Sequence, residues 1–124
     1  MRLNHDCIRD IMLYIEDNTS PSLDCVEFDD LCKFLTNQYD REIIHYHIDK
    51  LSQAEFISTF YADNCPQYIS SLSWIGHEYL DNIRDKTAWE KLKESGLASM
   101  SLDVAKDLIK DIVISLAKNK IGLN

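Results

Sequence analysis

His77 and Glu78, with Asp81 one helical turn after the histidine, are the residues of this chain best suited to hold a metal ion and activate water. A zinc hydrolase of that pattern needs a second histidine at the i+4 position and a third ligand. Here Asp81 stands in the i+4 place, and spacing brings no third ligand. His77 is therefore read as structural, its ring bonded to a backbone carbonyl or a carboxylate near a hairpin. Arg84 follows on the same turn, placed to pair with Glu78 or Asp81. His45 and His47 diverge on a helix and cannot converge on one ion. His47 falls on the apolar side and reads as a core histidine with its nitrogens satisfied.

The cysteines add no chemistry. Cys7, Cys25, Cys32 and Cys65 form no CxxC pair and no zinc-ligand rhythm. They read as reduced, buried thiols, Cys7 and Cys32 lying beside apolar helical positions. No nucleophile elbow and no glycine-rich phosphate loop is present, and the three glycines all come late. The expectation is a non-enzymatic protein with no cofactor and no metal.

The elements that carry these residues are legible from periodicity. Asn4 caps a helix whose Ile8, Ile11, Met12 and Ile15 recur at three- and four-residue steps. The turn formers of 17–22 end it. A second helix carries Phe28, Leu31, Cys32 and Leu35. Asp40 caps a third, with Ile44, His47, Ile48 and Leu51 inward. Residues 56–61 are β-branched and aromatic and read as a strand. Asp63-Asn64-Cys65-Pro66 is read as a four-residue turn, and 67–73 as the returning strand. Ser73 then caps a helix with Gly76, Tyr79, Leu80 and Ile83 on one face. A glycine there costs helix stability, which implies close packing against another backbone. Thr87-Ala88-Trp89-Glu90 has the form of a capping box opening a short helix, with Trp89 and Leu92 inward. Gly96 punctuates the chain. Ser101 caps a last helix with Leu102, Ala105, Ile109, Ile112 and Leu116 in a wide apolar stripe, and Gly122 stops it. That helix either packs along the domain or also makes a homodimer seam through 101–117.

The fold class expected is mostly α: a winged helix-turn-helix, three helices and a β-hairpin wing, with a C-terminal helical extension. The core with its post-wing helices spans 1–96, and the last helix 97–124. A chain of 124 residues can bury about two-thirds of its unfolded surface. Apolar content of 45% with two prolines argues against disorder. Mixed charge at the N-terminus and the shortness of the apolar runs give a cytoplasmic protein without a membrane span as the expectation.

Two stretches bear family resemblances. Residues 43–57, IIHYHIDKLSQAEFI, resemble the end of the recognition helix and the start of the wing in winged-helix regulators of the arsenic-repressor type. Leu72-Ser73-Trp74-Ile75-Gly76 resembles the "LTxxG" that follows the wing in many of them. More specifically, Trp74, Gly76, His77, Glu78, Leu80, Asp81, Ile83, Arg84 and Trp89 match the motif WxGHExLDxIRxxxxW. That motif resembles an uncharacterised bacterial and prophage family known as a domain of unknown function. The resemblance covers most of 1–119 and implies a winged-helix fold in a phage or mobile-element setting; it implies no activity. Glu55 departs from the pattern, standing where a glycine is usual. If that position needs positive φ, the side chain is strained.

Charge decides between the binding functions of such a scaffold. The chain carries 21 acidic and 13 basic residues, a net of −8. Residues 1–62 hold 12 of the acidic and 5 of the basic residues. A DNA reader would present Arg41, His45 and Gln53 to base edges from helix 40–54, with the wing 56–73 beside it. Asp40, Glu42 and Asp49 outnumber Arg41 and Lys50 on that helix, and Asp63 sits at the wing tip without a lysine or arginine. Phosphate binding needs the opposite sign. The first expectation is thus a protein-binding module whose acidic surface meets a basic partner, such as a host nucleic-acid-processing enzyme or defence complex. Its surface is drawn from Asp40, Arg41, Glu42, His45, Tyr46, Asp49, Gln53, Tyr61 and Asp63, with Tyr39, Tyr46 and Tyr61 as aromatic anchors. A DNA-binding regulator is the alternative.

Overall fold

In the computed structural model, which describes residues 1–120, the short polar residues ahead of each apolar period do what their chemistry suggests. The Asn4 side chain accepts the Cys7 N–H at 3.2 Å and opens α1 (His5–Asn18). The Asp40 side chain accepts the Ile43 N–H at 3.0 Å and opens the helix Arg41–Gln53. The described chain is mostly helical with a small antiparallel sheet, and it divides into two units after His77.

The first unit, Met1–His77, runs α1, β1 (Cys25–Glu27), α2 (Phe28–Phe34), α3 (Arg41–Gln53), β2 (Thr59–Ala62), β3 (Cys65–Ser70) and the start of α4 (Trp74–Arg84). The sheet order is β1-β3-β2, so β3 is central. Its register pairs Val26 with Ile69 and Glu27 with Tyr68 on one side, and Phe60 with Tyr68 on the other. Val26 and Ile69 point into the core, which also holds Ile8, Ile11, Met12, Ile15, Phe28, Leu31, Ile44, Ile48, Leu51 and Phe56.

Several expectations change here. Residues 25–27 form a strand that the sequence does not announce, because three residues carry too little pattern and the stability comes from pairing with β3. The hairpin loop has two residues instead of four. Asp63 and Asn64 take φ of 53° and 62°, the left-handed pair of a type I′ turn, and Cys65 and Pro66 already belong to β3. The strands are shorter than 56–61 and 67–73, and Phe56 and Ile57 serve the core instead.

Glu55 does stand at positive φ, 63°. It ends α3 in a Schellman arrangement: the Phe56 N–H reaches the Leu51 carbonyl and the Glu55 N–H the Ser52 carbonyl, both at 3.0 Å. Phe56 and Leu51 are both buried, the apolar contact that accompanies this cap.

Ser73 opens α4, accepting the Gly76 N–H at 3.1 Å while donating to the Glu55 carbonyl at 2.7 Å. A β-carbon on Gly76 would lie 2.7 Å from the Phe56 carbonyl oxygen, the close approach that its place in the helix implied.

The second unit, from Glu78 onward, contains the rest of α4, then α5 (Lys86–Glu94), a single 3-10 turn at Leu97–Ser99 and α6 (Leu102–Lys120). The cap of α5 is Asp85, accepting the Ala88 N–H at 3.1 Å, and not Thr87. The helix thus starts two residues earlier than the capping-box pattern at Thr87 suggests. Trp89 and Leu92 point inward as their spacing requires. Gly96 takes φ of 90° beyond the end of α5. The Ser101 hydroxyl accepts the Val104 N–H at 3.2 Å. On α6 Ala105 and Ile109 are fully buried, whereas Ile112 and Leu116 are half-buried. The helix stop at Gly122 lies outside the described residues. No helix among them is long and apolar enough to cross a membrane.

Candidate interaction surface

α3 and the hairpin bring most of the expected surface residues together, but they bind one another first. The Arg41 guanidinium reaches Asp29 of α2 at 2.6 Å and lies 4.8 Å over the Phe28 ring. It is therefore paired within its own unit. Both members of the pair are exposed, so it contributes less than about 1 kcal/mol. The Asp49 carboxylate accepts the Tyr61 hydroxyl at 2.5 Å and lies 3.5 Å from His45 Nε2. His45 in turn meets the Phe28 ring edge-on at 6.0 Å. Burial, and then the bond to Asp49, pushes the Tyr61 phenol up to about 12. This chain of contacts fastens the hairpin to α3.

Tyr46 donates to the Met1 carbonyl at 3.3 Å, and the Lys50 ammonium lies 5.4 Å over its ring. Tyr39 is also tied down, its hydroxyl donating to Asp10 at 2.8 Å. Two of the three expected aromatic anchors are thus partly buried and engaged. Glu42, Gln53 and Asp63 remain exposed, and Asp40 serves as the helix cap.

The aromatics that do stand out are others. Phe60 is 55% exposed, Tyr68 47% and Trp74 80%. Phe60 and Tyr68 are paired in register with ring centroids 6.4 Å apart, edge to face. Glu27, opposite Tyr68 on β1, is exposed on the same face. The unannounced strand hid this row. Alternation in 65–70 could have pointed to Tyr68, but its neighbour Glu27 is visible only once β1 is paired.

The motif after the hairpin is partly structural. Ser73, Gly76 and Trp89 are built into the fold, and Arg84 pairs with Asp81 at 2.9 Å. His77 and Glu78 are exposed. Among the described residues the His77 ring has no hydrogen bond, so the anchoring role expected for it is replaced by a solvent-facing one.

Among the described residues no group of three or more His, Cys, Asp or Glu is placed to hold a metal ion. All four cysteines are free thiols. Cys7 alone is buried, its pKa pushed up to about 12 by burial and then by Asp10; the other three are partly exposed, which corrects the expectation of buried thiols. Burial also pushes Cys32 up to about 11, so neither is a ready nucleophile. A hydroxyl-lined cleft lies between the end of α3 and the sheet, and several of its hydroxyls are engaged: Ser52 with Thr59 at 2.6 Å, Ser70 with the Ser58 N–H and the Ser71 carbonyl, each at 2.8 Å.

Together these features define a small, mostly helical protein with a three-stranded sheet and an acidic first unit. The chain belongs to the family described as "Hypothetical protein (DUF2513)", a domain of unknown function, whose model matches residues 2–100. It is 33% identical over 115 residues to an "Uncharacterized protein" of Haemophilus influenzae, covering 90% of this chain and 92% of that relative. No solved structure matches it.

Proposed function

We propose that this protein is a winged-helix interaction module, of phage or prophage type, that binds a basic protein partner through its first unit and catalyses no reaction. The order α1, β1, α2, α3, β2, β3 with β3 central supports the winged-helix reading, with α3 as the helix a DNA reader would insert and β2–β3 as the wing.

One observation carries the choice of partner. The first unit holds thirteen carboxylates against five basic side chains, so the whole net charge of −8 resides there. The second unit is balanced, eight against eight. The hairpin, where a DNA-binding wing places its phosphate contacts, contributes no lysine or arginine, and Arg41 is bound to Asp29. A partner that normally grips nucleic acid offers the complementary sign, with carboxylates taking the place of phosphates.

The test is a gel shift with mixed-sequence duplex DNA at about 50 mM salt, where a phosphate-gripping protein binds strongly. No retardation is expected. Retardation that weakens steeply as salt rises overturns the reading in favour of a DNA-binding regulator using α3 and the wing.

A further inference from the structure

The outer face of the sheet carries a row of three side chains. Register places Glu27 of β1 beside Tyr68 of β3, and Tyr68 beside Phe60 of β2. Cross-strand partners project to the same face, and the neighbouring pair Val26 and Ile69 takes the opposite one, buried in the core. All three side chains of the row are exposed. Glu27 also occupies the cap position of α2 without making a side-chain cap bond, so its carboxylate is not committed to that helix.

We propose that this row receives a cationic side chain, an arginine or lysine of a basic segment laid across the sheet. The inference rests on the acidic-module reading above and names its contact point. The faces of Phe60 and Tyr68 attract a cation through their quadrupoles, and Glu27 supplies the counter-charge and a charge-assisted hydrogen bond. The same unit already clasps a guanidinium this way: Arg41 lies over Phe28 and is bound by the adjacent Asp29. The outer row offers the same pair of chemistries, an aromatic ring beside a carboxylate, with no arginine or lysine on the hairpin to occupy it.

The surroundings select against other occupants. Asp63 at the hairpin tip and Asp24 ahead of β1 add negative charge, which repels phosphates. A second copy would bring the same sign to the contact.

The test uses the full chain and a fluorescently labelled arginine nonamer, followed by anisotropy at low salt, with Glu27→Gln, the double change Phe60→Ser with Tyr68→Ser, and Asp17→Asn, at the exposed end of α1, as a change of equal charge off the row. Circular dichroism checks that each variant keeps its fold, and the exposed, nearly isosteric Glu27→Gln is the safeguard should the double change unfold. Glu27→Gln and the double change are expected to weaken binding at least about tenfold, and Asp17→Asn by less than about threefold. Equal losses for Glu27→Gln and Asp17→Asn, with none for the aromatic change, overturn the row and leave the acidic module standing on diffuse charge. No binding of the nonamer by the parent chain overturns both. A dimer mass in ultracentrifugation that Phe60→Ser returns to monomer assigns the row to self-association and overturns the proposal.

Discussion

The Nε2 of His47 accepts the backbone N–H of Asn4 at 2.8 Å, while its Nδ1 lies 2.8 Å from the Ile43 carbonyl. One ring nitrogen faces a donor and the other an acceptor, so the neutral tautomer with the proton on Nδ1 is the form that fits. The middle of α3 thereby holds the residue that opens α1.

Protonation would put a second N–H against that of Asn4. Burial lowers the His47 pKa below its ordinary value, helped by the neighbouring His5 and opposed by the bond to Ile43; the other close ring is Tyr46, edge-on at 5.1 Å. The unfolded chain therefore binds more protons than the folded one in the interval between the lowered value and about 6.5. The stability this histidine confers is complete above about pH 6.5 and is lost as pH falls toward the folded value. Urea midpoints measured from pH 7.5 to 5 should decline across that interval. His47→Gln should lower the midpoint at pH 7.5 and flatten the decline; an unchanged slope in the variant would assign the pH dependence elsewhere.

Glu55 occupies a left-handed position that glycine takes without strain. Glu55→Gly should raise stability by about 0.5–1 kcal/mol, the relief of the β-carbon clash less the added freedom of the unfolded chain. Glu55→Ala keeps the β-carbon and should gain nothing. Thermal denaturation of the two variants distinguishes relief at the backbone from loss of the carboxylate.

Gly76→Ala tests the opposite case, a glycine kept for space. Its β-carbon would meet the Phe56 carbonyl at 2.7 Å, and backbone yields less readily than a side-chain tip. The cost expected is about 1–3 kcal/mol, a fall of several degrees in melting temperature. An unaltered melting curve would mean that the backbone at Phe56 gives way to the added methyl without cost.

What could be read from the sequence was governed by range. Asn4, Asp40, Ser73 and Ser101 were legible as caps because each bonds an N–H three residues on. The apolar stripes of α1 and α3 were legible for the same local reason, and His47 as a satisfied core residue. The strand 25–27 was not, since its partner lies far along the chain and three residues hold no period. Arg41 looked available for a base because sequence cannot show Asp29 brought beside it. Nor does sequence show that Tyr39 and Tyr46 bond Asp10 and Met1 while Phe60 and Tyr68 stand exposed.

The placement of β3 between its partners has a kinetic consequence. β2 can zip onto it through a two-residue loop, a local event of microseconds. β1 must return across α2 and α3 to reach the other edge, and closing so large a ring is slower. The hairpin should therefore acquire amide protection before Val26 does in a refolding pulse, and the three-strand row comes into being only when that late arrival docks.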